Sequence, residues 1–248
     1  MNIRGIKTHK ITAEDNDLLK ILDQYVSELH ENEILIITSK IVSICEGRVV
    51  SPKDISKSDL VKRESDYYLL SPDNKYELIL SIKDGHLMPW AGIDESNGNG
   101  YFVLWPEDAY ATAFKVRDYL VARFGLRHVG VVISDSKLTP LRWGETGLAV
   151  GYTGFNPLVS YIGKNDLFGR EMKLSKLSVA DSIATMGVLM MGEGDEQMPL
   201  AIVSEIPRVE FLERNCTQSE IDSYKIDKDS DLFGDLLNAV KWQTKVIT

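Results

Sequence analysis

Alternating stretches of apolar and polar residues divide the chain into a small set of predicted elements. Residues 1–12 form a short segment with cations at Arg4, Lys7 and Lys10 around Gly5. Leu18, Leu19, Leu22, Val26 and Leu29 recur at spacings of three and four, which predicts a helix over 15–29, its positive end met by Glu14, Asp15 and Asp17. Ile34-Leu35-Ile36-Ile37 is an unbroken apolar run, the pattern of a buried strand, and it ends at Thr38-Ser39-Lys40. After a Pro52 break, 59–67 reads as a helix, and Ser71-Pro72-Asp73-Asn74 has the composition of a turn. Residues 77–82 read as a strand, Lys83-Asp84-Gly85 as a hairpin turn, and His86 as the start of the return strand. Pro106 marks a helix start, 109–124 is amphipathic, and Gly125 ends it.

A second buried strand follows at Val129-Gly130-Val131-Val132-Ile133 and stops at Ser134-Asp135-Ser136. Residues 178–191 predict a helix with Val179, Ile183, Met186 and Met190 on one face, closed by the acidic glycine loop Gly192-Glu193-Gly194-Asp195-Glu196. Leu200-Ala201-Ile202-Val203 is a further strand. From Pro207 the chain turns polar, and only 232–242 reads as another helix.

Composition narrows the function classes. The 248 residues are 44% hydrophobic and 26% charged, which suits a globular protein of one large or two small domains with a sizeable core. A net charge of −9 argues against a nucleic-acid or anionic-membrane surface, since no positive field is available to attract phosphate backbones. The two cysteines, Cys45 and Cys216, lie far apart, which disfavours a zinc site or disulfide framework and fits a reducing cytosol. No run reaches the roughly 18 apolar residues of a membrane span. A cytoplasmic protein is expected.

Three polar loops carry the candidate chemistry: 94–98, 134–136 and 192–196. Each follows or ends a regular element. Asp135 between two serines, at the end of a buried strand, is a hard-oxygen cluster of the kind Mg²⁺ or Mn²⁺ takes, usually with phosphate oxygens and water completing the shell. By itself that stretch reads more readily as a turn with its serine caps. If the loops converge, Asp94, Asp135 and Glu193 would hold one or two divalent cations against the phosphates of a nucleotide. Gly192 and Gly194 leave room for phosphate to approach the backbone, though they suit a helix C-cap as well. Ser39 and Asn97 are candidate contacts to base, sugar or phosphate. Neither the P-loop pattern nor a strand-borne G-x-G-x-x-G is present.

Several separated motifs occur in order and in register: Ile37-Thr38-Ser39-Lys40-Ile41-Val42-Ser43, Glu46-Gly47-Arg48, Ala91-Gly92-Ile93-Asp94-Glu95-Ser96-Asn97, Ile133-Ser134-Asp135-Ser136, Arg142-Trp143-Gly144-Glu145-Thr146-Gly147 and Met191-Gly192-Glu193-Gly194. Together they resemble the coenzyme F420-0:γ-glutamyl ligase family, over residues 5–203. The resemblance implies an α+β fold of mixed sheets with flanking helices, built as two intertwined subdomains and assembled as a homodimer. Residues 1–80 and 171–248 would form a discontinuous main subdomain, and 81–170 an inserted one carrying metal loops. It also implies a GTP-dependent ligase that joins L-glutamate to a carboxylate acceptor as an amide, with divalent metals. Carried over by position, Asp94 and Asp135 match one metal site, and Ser136 and Glu193 a second. Gly5, Ile6, Lys7, Thr8, Ser39, Lys40, Asn97, Met191, Gly192 and Gly194 match nucleotide-contacting segments.

Two departures bear on nucleotide grip. The lysine expected four residues after Lys40 is Ile44, and Gly5-Ile6-Lys7-Thr8 lacks the proline usual there. Met88-Pro89-Trp90 and Leu138-Thr139-Pro140-Leu141 look unlike typical F420 members and resemble a bacterial subgroup thought to glutamylate a pterin-type acceptor in folate metabolism. The implied mechanism runs through an acyl phosphate formed when the acceptor carboxylate attacks the γ-phosphate of GTP. Asp94, Asp135 and Arg142 are the catalytic candidates, with Lys40 and Arg48 as further holders of phosphate or carboxylate. Ile44 keeps a competing reading open, a metal- and nucleotide-binding regulatory module without turnover.

Overall fold

The computed structural model describes residues 1–70 and 78–245. In chain order its elements are β1 (Asn2–Ile6), α1 (Leu18–Tyr25), β2 (Glu33–Thr38), α2 (Ser39–Cys45), β3 (Val49–Val50), α3 (Lys57–Glu64) and β4 (Tyr67–Leu69). Then come β5 (Leu80–Lys83), β6 (His86–Pro89), β7 (Phe102–Val103), α4 (Ala109–Phe124), β8 (Val129–Leu138), β9 (Glu145–Thr153), β10 (Leu158–Ser160) and β11 (Lys176–Ser178). The chain ends through α5 (Val179–Met191), β12 (Leu200–Ser204), α6 (Gln218–Tyr224), α7 (Gly234–Asn238) and β13 (Gln243–Thr244). The fold class is α+β.

The chain divides into two units and passes between them repeatedly. The first comprises Met1–Ile11, Asp17–Val42 and Asp108–Gln218; the second comprises Thr12–Asn16, Ser43–Glu107 and Ser219–Thr248. These bounds differ from the insertion at 81–170 expected above. The β8–β9 hairpin that carries Asp135 belongs to the large sheet of the first unit, because β8 pairs along its length with β2 and β9.

The two unbroken apolar runs explain that sheet. β2 and β8 lie side by side and parallel, with Ile34 opposite Gly130 and Ile37 opposite Ile133. Every residue of both runs is buried, so both sheet faces are covered, as expected of strands without polar alternation. Antiparallel neighbours complete the order β1-β12-β2-β8-β9. α5 packs on β9, β8, β12, β1 and β2, and α4 on β8 and β9. Glycines permit the closest crossings: a Cβ at Gly187 would fall 2.6 Å from Ile36 Cγ2, and one at Gly151 would fall 2.6 Å from the carbonyl oxygen of Ala109. Arg117 on α4 is buried and donates to the carbonyls of Val129, Arg127 and Leu212, tying helix, strand and a later loop together.

The second unit has a sheet ordered β13-β4-β5-β6 and the pair β3–β7. Leu60, Val61, Tyr68, Ile79, Ala91, Ile93, Phe102 and Leu104 form its core. The β5–β6 hairpin turns at Asp84 and Gly85, both with positive φ (52° and 79°), the geometry of a tight two-residue turn.

Several predicted bounds shift for physical reasons. The helix expected over 15–29 is α1 alone: Asp17, not Asp15, caps it by accepting from Leu19 and Lys20, and the chain leaves helical angles at Val26. Val26 and Leu29 are buried from a non-helical segment, so the three-and-four spacing overran the helix. The strand expected to stop at Ile133 runs on to Leu138, its polar end held by β9. The helix over 232–242 shrinks to α7. The turn at 71–74 and the first residue of the 77–82 strand lie outside the described residues.

Candidate functional site

Four chain segments end at one edge of the five-stranded sheet. Ile6, Leu200, Ile37 and Ile133 form a single register row across β1, β12, β2 and β8. Just past this row lie the N-terminal segment, the β2–α2 junction, the polar end of β8 and the loop entering β12. Hydrogen bonds stitch them. The Thr8 amide donates to the Gln197 carbonyl at 3.2 Å, and the Gln197 side chain donates to the Thr8 carbonyl at 2.8 Å. The Thr38 amide donates to the Pro199 carbonyl at 3.0 Å. Gly5 is set by proximity, since a Cβ there would sit 2.0 Å from Met198 Sδ. Gly5, Ile6, Thr8, Ser39, Lys40, Asp135, Ser136 and the 191–198 loop are thus gathered at the same end of the first unit.

The bulge in the β8–β9 hairpin shapes this end. Ile133 pairs with Gly151 but Ser134 pairs with Ala149, so Val150 is passed over. Beyond it Asp135 and Ser136 stand opposite Leu148 and Gly147, half-buried in the strand. Gly147 is pressed under α5, where a Cβ would meet the Ala184–Thr185 peptide at 2.2 Å, and the Thr185 hydroxyl donates to the Gly147 carbonyl at 3.3 Å. Asp181 adds a second tie, taking the Ala149 amide at 3.0 Å and the Lys137 ammonium at 3.2 Å. Sequence reading passed over Lys137 and Asp181. The only signal was position, since Lys137 shares a strand face with Asp135 two residues before it.

The glycine loop after α5 is partly spoken for. The Gly192 amide donates to Val188 as the helix cap, with Gly192 at φ 77°, and the Gly194 amide donates to Glu196 at 2.8 Å. Both amides offered above to phosphate are therefore bonded within their own chain. Glu193 is exposed beside them. Arg142 sits in the exposed tip of the β8–β9 hairpin and forms no ion pair among the described residues.

Asp94 and Asn97 stand in the second unit. Asp94 bridges to Val103 through reciprocal backbone hydrogen bonds of 3.0 and 2.8 Å. Its carboxylate accepts from the Ser96 amide at 2.7 Å and the Ser96 hydroxyl at 3.1 Å. Asn97 is an exposed turn residue at φ 54°. Ile44 is buried. Arg48, offered above as a phosphate holder, spends its guanidinium on Glu64 at 2.7 Å and the Trp105 carbonyl at 3.1 Å. Burial pushes the Glu64 carboxyl up, but Lys83 and Arg48 outweigh it and hold the group below its ordinary 4.5. Among the described residues no three His, Cys, Asp or Glu side chains gather as a ready metal site. A cation here would take only one or two protein carboxylates, the usual arrangement for Mg²⁺ when phosphates supply the other oxygens.

Comparison with known proteins shows the family. The sequence profile of the family F420-0:Gamma-glutamyl ligase matches residues 5–205. The chain is similar to the Coenzyme F420:L-glutamate ligase of Methanopyrus kandleri, 30% identical over 233 residues, covering 86% of this chain and 90% of the relative. The same-named protein of Methanothermobacter thermautotrophicus is 31% identical over 227 residues, covering 84% and 90%. That of Methanocaldococcus jannaschii is 31% identical over 206 residues, covering 77% and 82%.

Proposed function

The chain belongs to the F420-0:γ-glutamyl ligase family, and we propose that it joins the amine of L-glutamate to a carboxylate acceptor as an amide, at the expense of GTP. The observation that carries the reading is the sheet edge of the first unit. There the segments matching the nucleotide contacts, Asn97 excepted, and three of the four matched metal ligands lie beside one register row of adjacent strands. An edge lined by strand termini, where backbone groups and short polar side chains meet, suits a polyanionic ligand.

The donor set fits a hard divalent cation. In the first unit Asp135, Ser136 and Glu193 offer oxygen alone, and in the second Asp94 does the same, the choice of Mg²⁺ or Mn²⁺ rather than of zinc. Such a metal would supply neutralising charge at the phosphate oxygens. The chain's own residues do the rest. The acceptor carboxylate attacks the γ-phosphate, GDP leaves, and an acyl phosphate forms. Glutamate's amine then displaces phosphate from it, losing a proton. Lys40, at the β2–α2 junction, and Arg142 are read as holding phosphate or carboxylate, Arg142 by its planar fork. Arg48 is not given that role, since its fork is occupied.

The acceptor is read as F420-0 or a folate-type carboxylate, and the assembly as a cytoplasmic homodimer. In the first unit Leu141, Trp143, Leu167 and Phe168 are almost wholly exposed, which supports self-association and is checked by sedimentation. No helix among the described residues is long and apolar enough to cross a membrane.

The test is direct. Purified protein receives GTP or ATP, L-glutamate and Mg²⁺ or Mn²⁺, with F420-0 or a pteroate-type acceptor, and the products are weighed by mass spectrometry. A gain of one or more glutamates on one acceptor, with phosphate release needing both acceptor and glutamate, supports the ligase. Phosphate release indifferent to glutamate, or nucleotide binding with no turnover on any acceptor, overturns it.

A further inference from the structure

Asp94 is carried on an unusual piece of backbone. Trp90, Ala91 and Gly92, just before it, have φ of 52°, 52° and 71°, three consecutive residues in the left-handed region. Two of them bear side chains, and such a run persists only where its surroundings over-determine it.

Two grips do so here. On one side Ser81, fully buried, accepts the Ala91 amide at 2.7 Å and donates to the Met88 carbonyl at 2.8 Å. On the other, Gly92 lies on the indole of Trp105, where a Cβ would fall 2.3 Å from Nε1. Trp105 is itself held. Its carbonyl accepts from Arg48 Nε at 3.1 Å, and the far end of Arg48 donates to Glu64 at 2.7 Å. Glu64 also takes Lys83 Nζ at 3.1 Å, and the Glu64 and Lys83 side chains are only 12% and 9% exposed. The Arg48 backbone reaches Asp94 by a second route. The Leu104 amide donates to the Arg48 carbonyl, Val49 pairs with Val103, and Val103 exchanges both backbone hydrogen bonds with Asp94. The Arg48 side chain thus bears on one flank of the segment that aims the Asp94 carboxylate and its backbone on the other, and Glu64 fixes the side chain.

We propose that Ser81 and Glu64, the latter through Arg48, are positioning residues that hold the Asp94 carboxylate for a divalent cation. This rests on the reading of Asp94 as a metal ligand given above. Neither residue touches the reacting groups. A relaxed turn would leave the carboxylate present but misplaced, which weakens a metal without removing its ligand.

The experiment titrates the full chain with Mn²⁺ in the presence of a non-hydrolysable GTP analogue, reading free Mn²⁺ by electron paramagnetic resonance. Phosphate release is followed in parallel with GTP, acceptor and glutamate. Ser81→Ala and Glu64→Gln are each expected to weaken Mn²⁺ binding about tenfold or more, raise half-saturating Mn²⁺ for turnover in proportion, and leave KM for glutamate unchanged. Glu64→Asp should recover part of the loss. Arg117→Lys, which destabilises the first unit, serves as the control for general loosening, and an equal Mn²⁺ shift in it overturns the proposal. If Glu64→Gln fails to fold, Ser81→Ala carries the same comparison. Unchanged Mn²⁺ binding in the folded variants, alongside a loss in Asp94→Asn, overturns the positioning role. Unchanged binding in Asp94→Asn overturns the metal reading instead.

Discussion

Gly147 of β9 lies directly beneath the Ala184–Thr185 peptide of α5, so close that a Cβ on it would stand 2.2 Å from the Ala184 carbonyl carbon. The obstacle is helix backbone, which cannot swing aside as a side chain can. Gly147→Ala must therefore push α5 off the strand that faces Ser136. Overpacking of this kind costs about 2 kcal/mol or more. For a chain of this size the melting temperature should fall by roughly 4–8 °C, read by differential scanning calorimetry. An unchanged melting temperature would mean the helix is not seated on the strand.

Arg117 is the second structural test. Burial lowers its guanidinium pKa, yet the group stays charged and serves three carbonyls. Arg117→Met fills similar space but leaves those acceptors without their donor, at a cost of about 3 kcal/mol. Urea denaturation followed by circular dichroism should show the midpoint move down. Arg117→Lys should fall between.

Glu64 gives a pH signature whose sign is fixed. Its folded pKa lies below the ordinary 4.5, so the folded state favours the ionised form. The stability it contributes is complete above the unfolded value and disappears as pH falls through the lowered folded value. Wild type should exceed Glu64→Gln in urea midpoint at pH 7, and the gap should narrow from about pH 4.5 downward. A gap that stays constant into the acid range would show that charge on Glu64 contributes nothing.

Asp135→Asn tests the ligand assignment. The amide keeps the shape and one oxygen but loses the charge. Metal charge stabilisation is worth several kcal/mol, so metal-dependent phosphate release should drop by at least about a hundredfold. Turnover retained with the same metal demand would defeat the assignment.

Arg142→Ala separates a catalytic cation from a surface one. The residue is exposed and makes no ion pair among the described residues, so stability should stay within about 0.5 kcal/mol of wild type. If Arg142 grips phosphate or carboxylate, KM for GTP or an acid substrate should rise severalfold in steady-state kinetics. An unchanged KM for every substrate would return Arg142 to the solvated surface.

Where local signals decide structure, the sequence sufficed. α4 spans the predicted residues because Asp108 caps it and Gly125 closes it in the left-handed conformation. β2 and the apolar half of β8 follow from burial on both faces. Where pairing decides, residue patterns misled. Ser134, Asp135, Ser136 and Lys137 look like the end of a strand, yet β9 keeps them in one. β1 shows in the sequence only as part of a short segment with cations, because Arg4 and Gly5 hide its pairing with β12. α6 has no apolar period long enough to announce it. The sheet edge in the first unit was legible only as a resemblance between motifs. No pattern along the chain says that the ends of β1, β2 and β8 are neighbours. Arg48 shows the reverse error, since its motif suggested a ligand contact while Glu64, sixteen residues on, had already claimed it.

The passed-over Val150 has a consequence for how this hairpin can change over time. It sets the phase of the β9 residues facing the chemistry-bearing half of β8 independently of those facing the apolar half. Residues at the tip, from Thr139 to Gly144, can therefore be lengthened, shortened or exchanged to suit a different acceptor while Asp135 and Ser136 keep their facing. Deleting Val150 itself would slip the tip-side half of β9 by one place, turning Gly147 and Leu148 away from their seats opposite Ser136 and Asp135.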